Sequence, residues 1–215
     1  MNPESLYPFL SPEQGAPSGV LADVRASTEE KAAEIVALRE SLADLHGARL
    51  TECARQMAER FRDGGRLFSF GNGGSATDAR EIEELHVNPP SPARPLPAFS
   101  LPHDVATVTA LSNDVSFDVV FARQLAALAG TGDIAVGLST SGGSENLLRA
   151  FAEARSRGML TVGFAGYDGG RMAQAGTIDH LFVVPSSSVH RIQEAQTTLY
   201  HVLWELTQQA LHGQS

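Results

Sequence analysis

Gly71-Asn72-Gly73-Gly74-Ser75 follows the apolar run Leu67-Phe68-Ser69-Phe70 and opens a helical pattern. Farther on, Ile134-Ala135-Val136-Gly137-Leu138 runs into Ser139-Thr140-Ser141-Gly142-Gly143-Ser144 and a second helical pattern. The hydroxyls of Ser139, Thr140, Ser141 and Ser144 can donate to phosphate oxygens. A helix beginning near Gly143 adds free backbone N–H groups and the positive end of its dipole. Glycines let the backbone approach such a ligand without a side chain in the way. No Gly-Lys-Ser/Thr follows, so this is not a Walker loop. A single serine or threonine after a strand would only cap its helix. Several hydroxyls packed among glycines favour an anion instead. Together the two strand ends read as a site for an anionic sugar.

The elements that must position these loops alternate strand, loop, helix. Short apolar strands are predicted at 66–70, 97–101, 133–138, 159–165 and 180–184, with helices at 75–87, 117–129, 143–157 and 189–211. Such alternation implies right-handed crossovers and a mostly parallel sheet covered on both faces, an α/β class. Ligands of an open parallel sheet sit beyond the carboxyl ends of its strands, where both loops fall. Ahead of the sheet, Ile35, Leu38, Leu42 and Leu45 fit one helical stripe, and Leu50, Cys53, Met57 and Phe61 fit another. His46-Gly47 is expected to break them into two helices, and Gly64-Gly65 to end the second. Prolines and glycines over residues 1–20 predict an extended or disordered arm, and residues 21–215 a single domain with a helical extension. The run from Pro89 to Pro95 reads as a stiff connector into the second strand.

Composition narrows the partners. At 215 residues, 42% hydrophobic and 19% charged, the chain is globular in make-up and can bury about 70% of its unfolded surface. The net charge is −9 and Lys31 is the only lysine, which argues against direct binding to nucleic acid or an anionic membrane. Any anionic ligand must therefore be held by loops and helix ends. One cysteine, Cys53, leaves no internal disulfide and sits in an apolar pattern. No apolar run approaches the ~20 residues of a membrane span, and the cytoplasm is the expected location.

Five motifs in order carry a resemblance: Gly-Asn-Gly-Gly-Ser, Asn113-Asp114, Ser-Thr-Ser-Gly-Gly-Ser, Asp168-Gly169-Gly170 and Arg191-Ile192-Gln193-Glu194. From about residue 28 onward the chain resembles the sugar isomerase (SIS) family, and within it the phosphoheptose (sedoheptulose-7-phosphate) isomerases. The resemblance implies a flavodoxin-like three-layer sandwich with a five-stranded parallel sheet, and a homotetramer with sites shared between subunits. It also implies aldose–ketose interconversion of a phosphorylated sugar through an enediol. That chemistry needs a base beside the carbonyl carbon and an acid to return the proton.

In the enzymes it resembles, a glutamate on the helix after the first loop and a histidine on the last helix share this work. Several members hold zinc with that pair, a histidine one turn earlier and the motif glutamine. Here Gln193 and His201 match the last helix, eight residues apart on one face with Thr197. His190 stands where an aspartate is common. The first helix departs: counted without gaps, the glutamate position falls on Leu85 and the earlier histidine on Glu81. A slip to Glu84 would rotate the side chain by about 100°. Glu81 is the favoured carboxylate, with Glu84 second; the run Arg80-Glu81-Ile82-Glu83-Glu84 reads equally as a solvated acidic face. Glu81, Gln193 and His201 are then the donors a zinc ion could use, with His86, His103 and His190 as spare imidazoles.

Two functions follow from the resemblance. As an enzyme, Asn72, Gly73, Gly74 and Ser75 would hold the sugar, Asp114 a hydroxyl and Ser139 to Ser144 the phosphate, with Glu81 and His201 moving the proton. As a binding module, the chain would sense a sugar phosphate or act as an adaptor for a protein partner such as a replication initiator.

Overall fold

Strands that are apolar on both faces belong in the middle of a covered sheet. In the computed structural model, which describes residues 17–213, β1 (Leu67–Gly71), β3 (Ile134–Ser139) and β4 (Leu160–Gly166) are buried at every position. β2 (Ala98–Ser100) and β5 (His180–Val184) alternate buried with more open positions, as edge strands do. The order is β2-β1-β3-β4-β5 and every pairing is parallel. The helices are α2 (Gly74–Val87), α3 (Val105–Asp114), α4 (Val120–Leu128), α5 (Glu145–Ser156) and α6 (Val189–His212). This is the five-stranded parallel α/β sandwich expected from the sequence. Among the described residues no helix is long and apolar enough to cross a membrane.

The core explains one glycine. Phe70 and Phe151 pack with ring centroids 5.2 Å apart. A Cβ at Gly137 would stand 2.5 Å from Phe151 and 2.6 Å from Phe70, so β3 keeps a glycine where the two rings meet. At the amino end of the sheet, Asp133 accepts from the Arg66 backbone at 2.8 Å, the Arg66 guanidinium at 2.9 Å and the Gly130 backbone at 2.9 Å.

Three expectations are corrected. The break at His46-Gly47 is absent, because α1 is one helix over Pro17–Arg62. His46 is buried, bonded through Nε2 to the Val183 carbonyl at 2.9 Å and packed edge-on against Phe182. Those contacts outweigh the roughly 1 kcal/mol a mid-helix glycine costs. Leu45 is exposed and does not join its stripe, whereas Leu50, Cys53, Met57 and Phe61 are all buried. Residues 17–20, assigned to the arm, are helical; residues 1–16 lie outside the described residues. The chain divides into two compact units, one ending at Glu40 and one running from Ser41. In the first, Arg25 pairs with Glu29 at 2.7 Å along the helix.

His86, on α2, is buried, donates through Nδ1 to the Ile82 carbonyl at 2.7 Å and lies against Phe61. Burial pushes its imidazole down to about 4, from 6.5. Between pH 6.5 and 4 the unfolded chain therefore takes up a proton that the fold refuses, and stability falls as pH falls. The loss expected from His86 is on the order of 3 kcal/mol. Burial shifts His46 and His180 the same way. Urea unfolding of His86→Phe should show a flatter acid limb than the parent chain; an identical limb would assign the acid sensitivity elsewhere.

Candidate active site

The sheet order reverses between β1 and β3, and a ligand crevice opens at such a switch point. Both glycine–hydroxyl loops follow those two strands. After β1, Ser75 N–H donates to the Asn72 carbonyl and Ala76 N–H to the Gly73 carbonyl, each at 3.0 Å, turning the chain directly into α2. Gly73 carries this turn with φ 55° and caps the helix without a side chain. A Cβ at Gly71 would stand 2.4 Å from the Ser75 carbonyl, so the turn is as tight as glycine permits.

After β3, Gly142 N–H donates to Ser139 Oγ at 3.1 Å and Gly143 N–H to Ser141 Oγ at 3.2 Å. Ser139 Oγ lies 3.5 Å from Ser141 Oγ and 3.4 Å from Ser144 Oγ. Ser144 precedes α5 without capping it through its side chain. Three hydroxyls thus cluster at a helix N-terminus, and the Ser144 oxygen is not spent on that helix. Thr140 is tied by its carbonyl to Gly166 N–H at 3.0 Å.

Asp168-Gly169-Gly170 gains a physical account here. A Cβ at Gly142 would stand 2.1 Å from the Gly169 carbonyl, and one at Gly170 would stand 2.4 Å from the Ser141 carbonyl. Met172 N–H donates to the Gly142 carbonyl at 2.9 Å. The second glycine pair clamps the hydroxyl loop from behind.

Asn146, missed in the sequence, joins the two loops. Asn72 Nδ2 donates to Asn146 Oδ1 at 3.0 Å and Asn146 Nδ2 donates back to Asn72 Oδ1 at 2.9 Å. Asn146 is buried in the first turn of α5. Asn146→Ala should cost about 1–3 kcal/mol, because it leaves the Asn72 amide without its partner. An unchanged urea midpoint would mean that the amide pair contributes nothing.

The proton-transfer candidates meet between α2 and α6. Glu81 Oε1 accepts from His201 Nε2 at 2.9 Å, and Glu81 Oε2 accepts from the Tyr200 hydroxyl at 2.7 Å. The Tyr200 and His201 rings stack with centroids 5.2 Å apart. Burial pushes the Glu81 carboxyl up, but the hydrogen bonds from His201 and Tyr200 outweigh it and hold the group below its ordinary value. Burial chiefly, with the Glu81 bond, raises the Tyr200 hydroxyl, so it stays a donor. Asp78, one turn before Glu81, is pushed up to about 6, first by burial and then by the Glu81 charge. Two neighbouring carboxyls driven apart in this way titrate in separate steps, Asp78 taking up its proton first as pH falls.

The remaining candidates sit as follows. Gln193 reaches α2 from α6: a Cβ at Gly74 would stand 2.2 Å from its Nε2. Leu85 lines a small apolar cavity with Ile82, His86, Tyr200 and Trp204, a setting that suits a hydrocarbon side chain. Glu84 is exposed and accepts from Asn88 at 3.0 Å, apart from His201 and Tyr200. Asp114 ends α3, exposed, and accepts from Asn113 at 2.7 Å; among the described residues no hydrogen bond joins it to either loop.

A five-stranded parallel sheet whose order reverses between β1 and β3, with helices α2 and α5 opening from the loops after those strands, defines a doubly wound α/β protein. The chain belongs to the SIS domain family, whose model matches residues 32–166. It is 42% identical over 167 residues to the phosphoheptose isomerase of Aquifex aeolicus, covering 77% of this chain and 86% of that one. To the phosphoheptose isomerase of Nitratidesulfovibrio vulgaris it is 41% identical over 186 residues, covering 86% and 88%. Its fold matches phosphoheptose isomerase GmhA from Neisseria gonorrhoeae with a TM-score of 0.78 at 31% identity, covering 85% of this chain and 97% of that one. The phosphoheptose isomerase of Francisella tularensis matches with a TM-score of 0.79 at 30% identity, covering 88% and 98%.

Proposed function

We propose that this chain is a cytoplasmic sugar-phosphate isomerase that interconverts a ketose and an aldose phosphate of the heptose class, sedoheptulose 7-phosphate being the substrate to test. The observation that carries the proposal is the Glu81–His201 pair at 2.9 Å, with Tyr200 on the second carboxylate oxygen. The phosphate rests on Ser139, Thr140, Ser141 and Ser144 and the N-terminus of α5. Asn72 to Ser75, Gln193 and Asp114 are assigned to the sugar. Glu81 is the base: its hydrogen bonds favour the carboxylate, which still has lone pairs free for a carbon-bound proton. His201, already donating to Glu81, passes a proton to the carbonyl oxygen as the enediol forms and takes one back as it collapses.

Zinc is implied by the resemblance, and the arrangement does not suit it. Glu81 and His201 are bonded to each other, whereas Gln193 lies against Gly74, about two turns along α2 from Glu81, so the three donors do not meet at one point. Among the described residues no three His, Cys, Asp or Glu side chains converge as a metal group. No step is therefore routed through an ion.

Side chains of Glu81 and His201 are 46% and 37% exposed, so one chain alone does not exclude water from the dyad. A second copy covering this face, in a homotetramer with shared sites, belongs to the same proposal and is checked by light scattering; a monomer would sink it. The activity is tested by incubating the pure protein with sedoheptulose 7-phosphate, with and without zinc, and resolving the sugar phosphates. Unchanged substrate in both arms would leave only the binding role.

A further inference from the structure

The structure assigns a second oxyanion site, of the phosphate-monoester type, to a cleft at the carboxyl end of β2 between α2 and the segment that follows the strand. The cleft has a volume of about 250 Å³. Thr77 and Arg80 of α2 line one side, Ser100 the base, and Pro102 and His103 the other side.

Four observations point to an anion. Ser100 is only 8% exposed, yet its Oγ has no hydrogen-bond partner. A buried hydroxyl left unpaired is costly, and rotation of the Ser100 side chain toward a ligand oxygen in the cleft would satisfy it. Thr77 lines the same cleft with a second hydroxyl that no protein group engages among the described residues. Arg80 forms no ion pair among the described residues; it donates instead to His103 Nε2. Its natural helix partner, Glu84, four residues on, is bonded to Asn88.

His103 takes the Arg80 guanidinium on Nε2, which leaves Nδ1 as the ring nitrogen that can donate. The nearest acid in sequence, Asp104, is turned away: it caps α3 by accepting from Thr107 N–H at 3.0 Å and Thr107 Oγ1 at 2.6 Å. The cleft therefore presents a guanidinium, two hydroxyls and an imidazole N–H, with no carboxylate lining it. Each of these groups can donate to a phosphate oxygen, and none brings a negative charge.

This cleft is separate from the crevice already described. Thr77 and Arg80 face it on one flank of α2, whereas Glu81 meets Tyr200 and His201 of α6 on the other. It opens at the same carboxyl end of the sheet, so the ion is either a second phosphate of one substrate or a free effector.

Inorganic phosphate is the probe, and the His103 imidazole resonance in NMR is the reporter. In the parent chain the His103 signal should move saturably while that of His212, exposed at the end of α6, stays still. Arg80→Gln should weaken the titration at least tenfold and Ser100→Ala several-fold, while Arg80→Lys retains most of it and Ser141→Ala leaves it intact. A His103 signal that merely tracks His212, or equal affinity in Arg80→Gln, overturns the site. A ketose bisphosphate then identifies the source. An advantage over the monophosphate that disappears in Arg80→Gln means one bridging molecule. No advantage, with inorganic phosphate still bound, means a separate ion, and either result supports the site. None of these readouts depends on turnover, so they stand or fall apart from the isomerase reading.

Discussion

Replacing Glu81 with glutamine is expected to lower kcat on a heptose phosphate by two to four orders of magnitude, with KM changed little. The substitution keeps the side chain's size and one acceptor, so packing against Tyr200 survives. What it removes is the base, and positioned proton transfer contributes roughly 10²–10⁴ in rate. The environment supports that role, because His201 and Tyr200 both donate to the carboxylate and hold it ionised. Glu84→Gln is the matched control. Its carboxylate serves Asn88 on the exposed face, and its loss should leave kcat within about twofold. If Glu81→Gln kept full activity and Glu84→Gln lost it, the assignment of the base would be reversed.

Gly142→Ala should destabilise the protein by about 2–5 kcal/mol and abolish sugar-phosphate binding at the hydroxyl loop. Gly142 holds φ 62°, which costs an L residue about 1–2 kcal/mol. Its new Cβ would also stand 2.1 Å from the Gly169 carbonyl, a backbone atom that cannot swing aside. Relieving such overpacking costs about 1–3 kcal/mol and separates the loop from Gly169-Gly170, which shape it. Gly130→Ala, with nothing within 4 Å of the new atom and no positive φ, should be near neutral. Urea unfolding and phosphate titration of the two variants check this. Equal midpoints would show that the loop adapts and that the clamp is not needed.

The sheet was legible because its strands are short apolar runs bounded by glycines, prolines and serines, and all five lie within a residue or two of the positions expected. The long first helix was misread at His46-Gly47 because local propensity marks a break there, whereas burial of His46 against Phe182 and Val183 decides the outcome. α3 was missed for the opposite reason. None of its residues is buried, so it shows no apolar stripe to read.

In the site, hydroxyls and glycines announce themselves by spacing within one segment. Asn146 and Tyr200 do not, since their partners Asn72 and Glu81 lie 74 and 119 residues away in the chain. Asp78 could have been flagged: it falls one turn before Glu81 on the same helix. Leu85 in the family's glutamate position is a departure that the sequence already displays. The structure shows that position lining an apolar cavity while Glu81 takes the contact with His201.

The most direct test of the central claim is a proton NMR time course of the pure protein with sedoheptulose 7-phosphate in deuterated water. The account predicts a new aldose phosphate, with deuterium entering at the carbon beside the carbonyl, and loss of both signals in Glu81→Gln. A spectrum in which the sugar resonances broaden but neither exchange nor product appears would contradict it, leaving a sugar-phosphate-binding protein without isomerase chemistry.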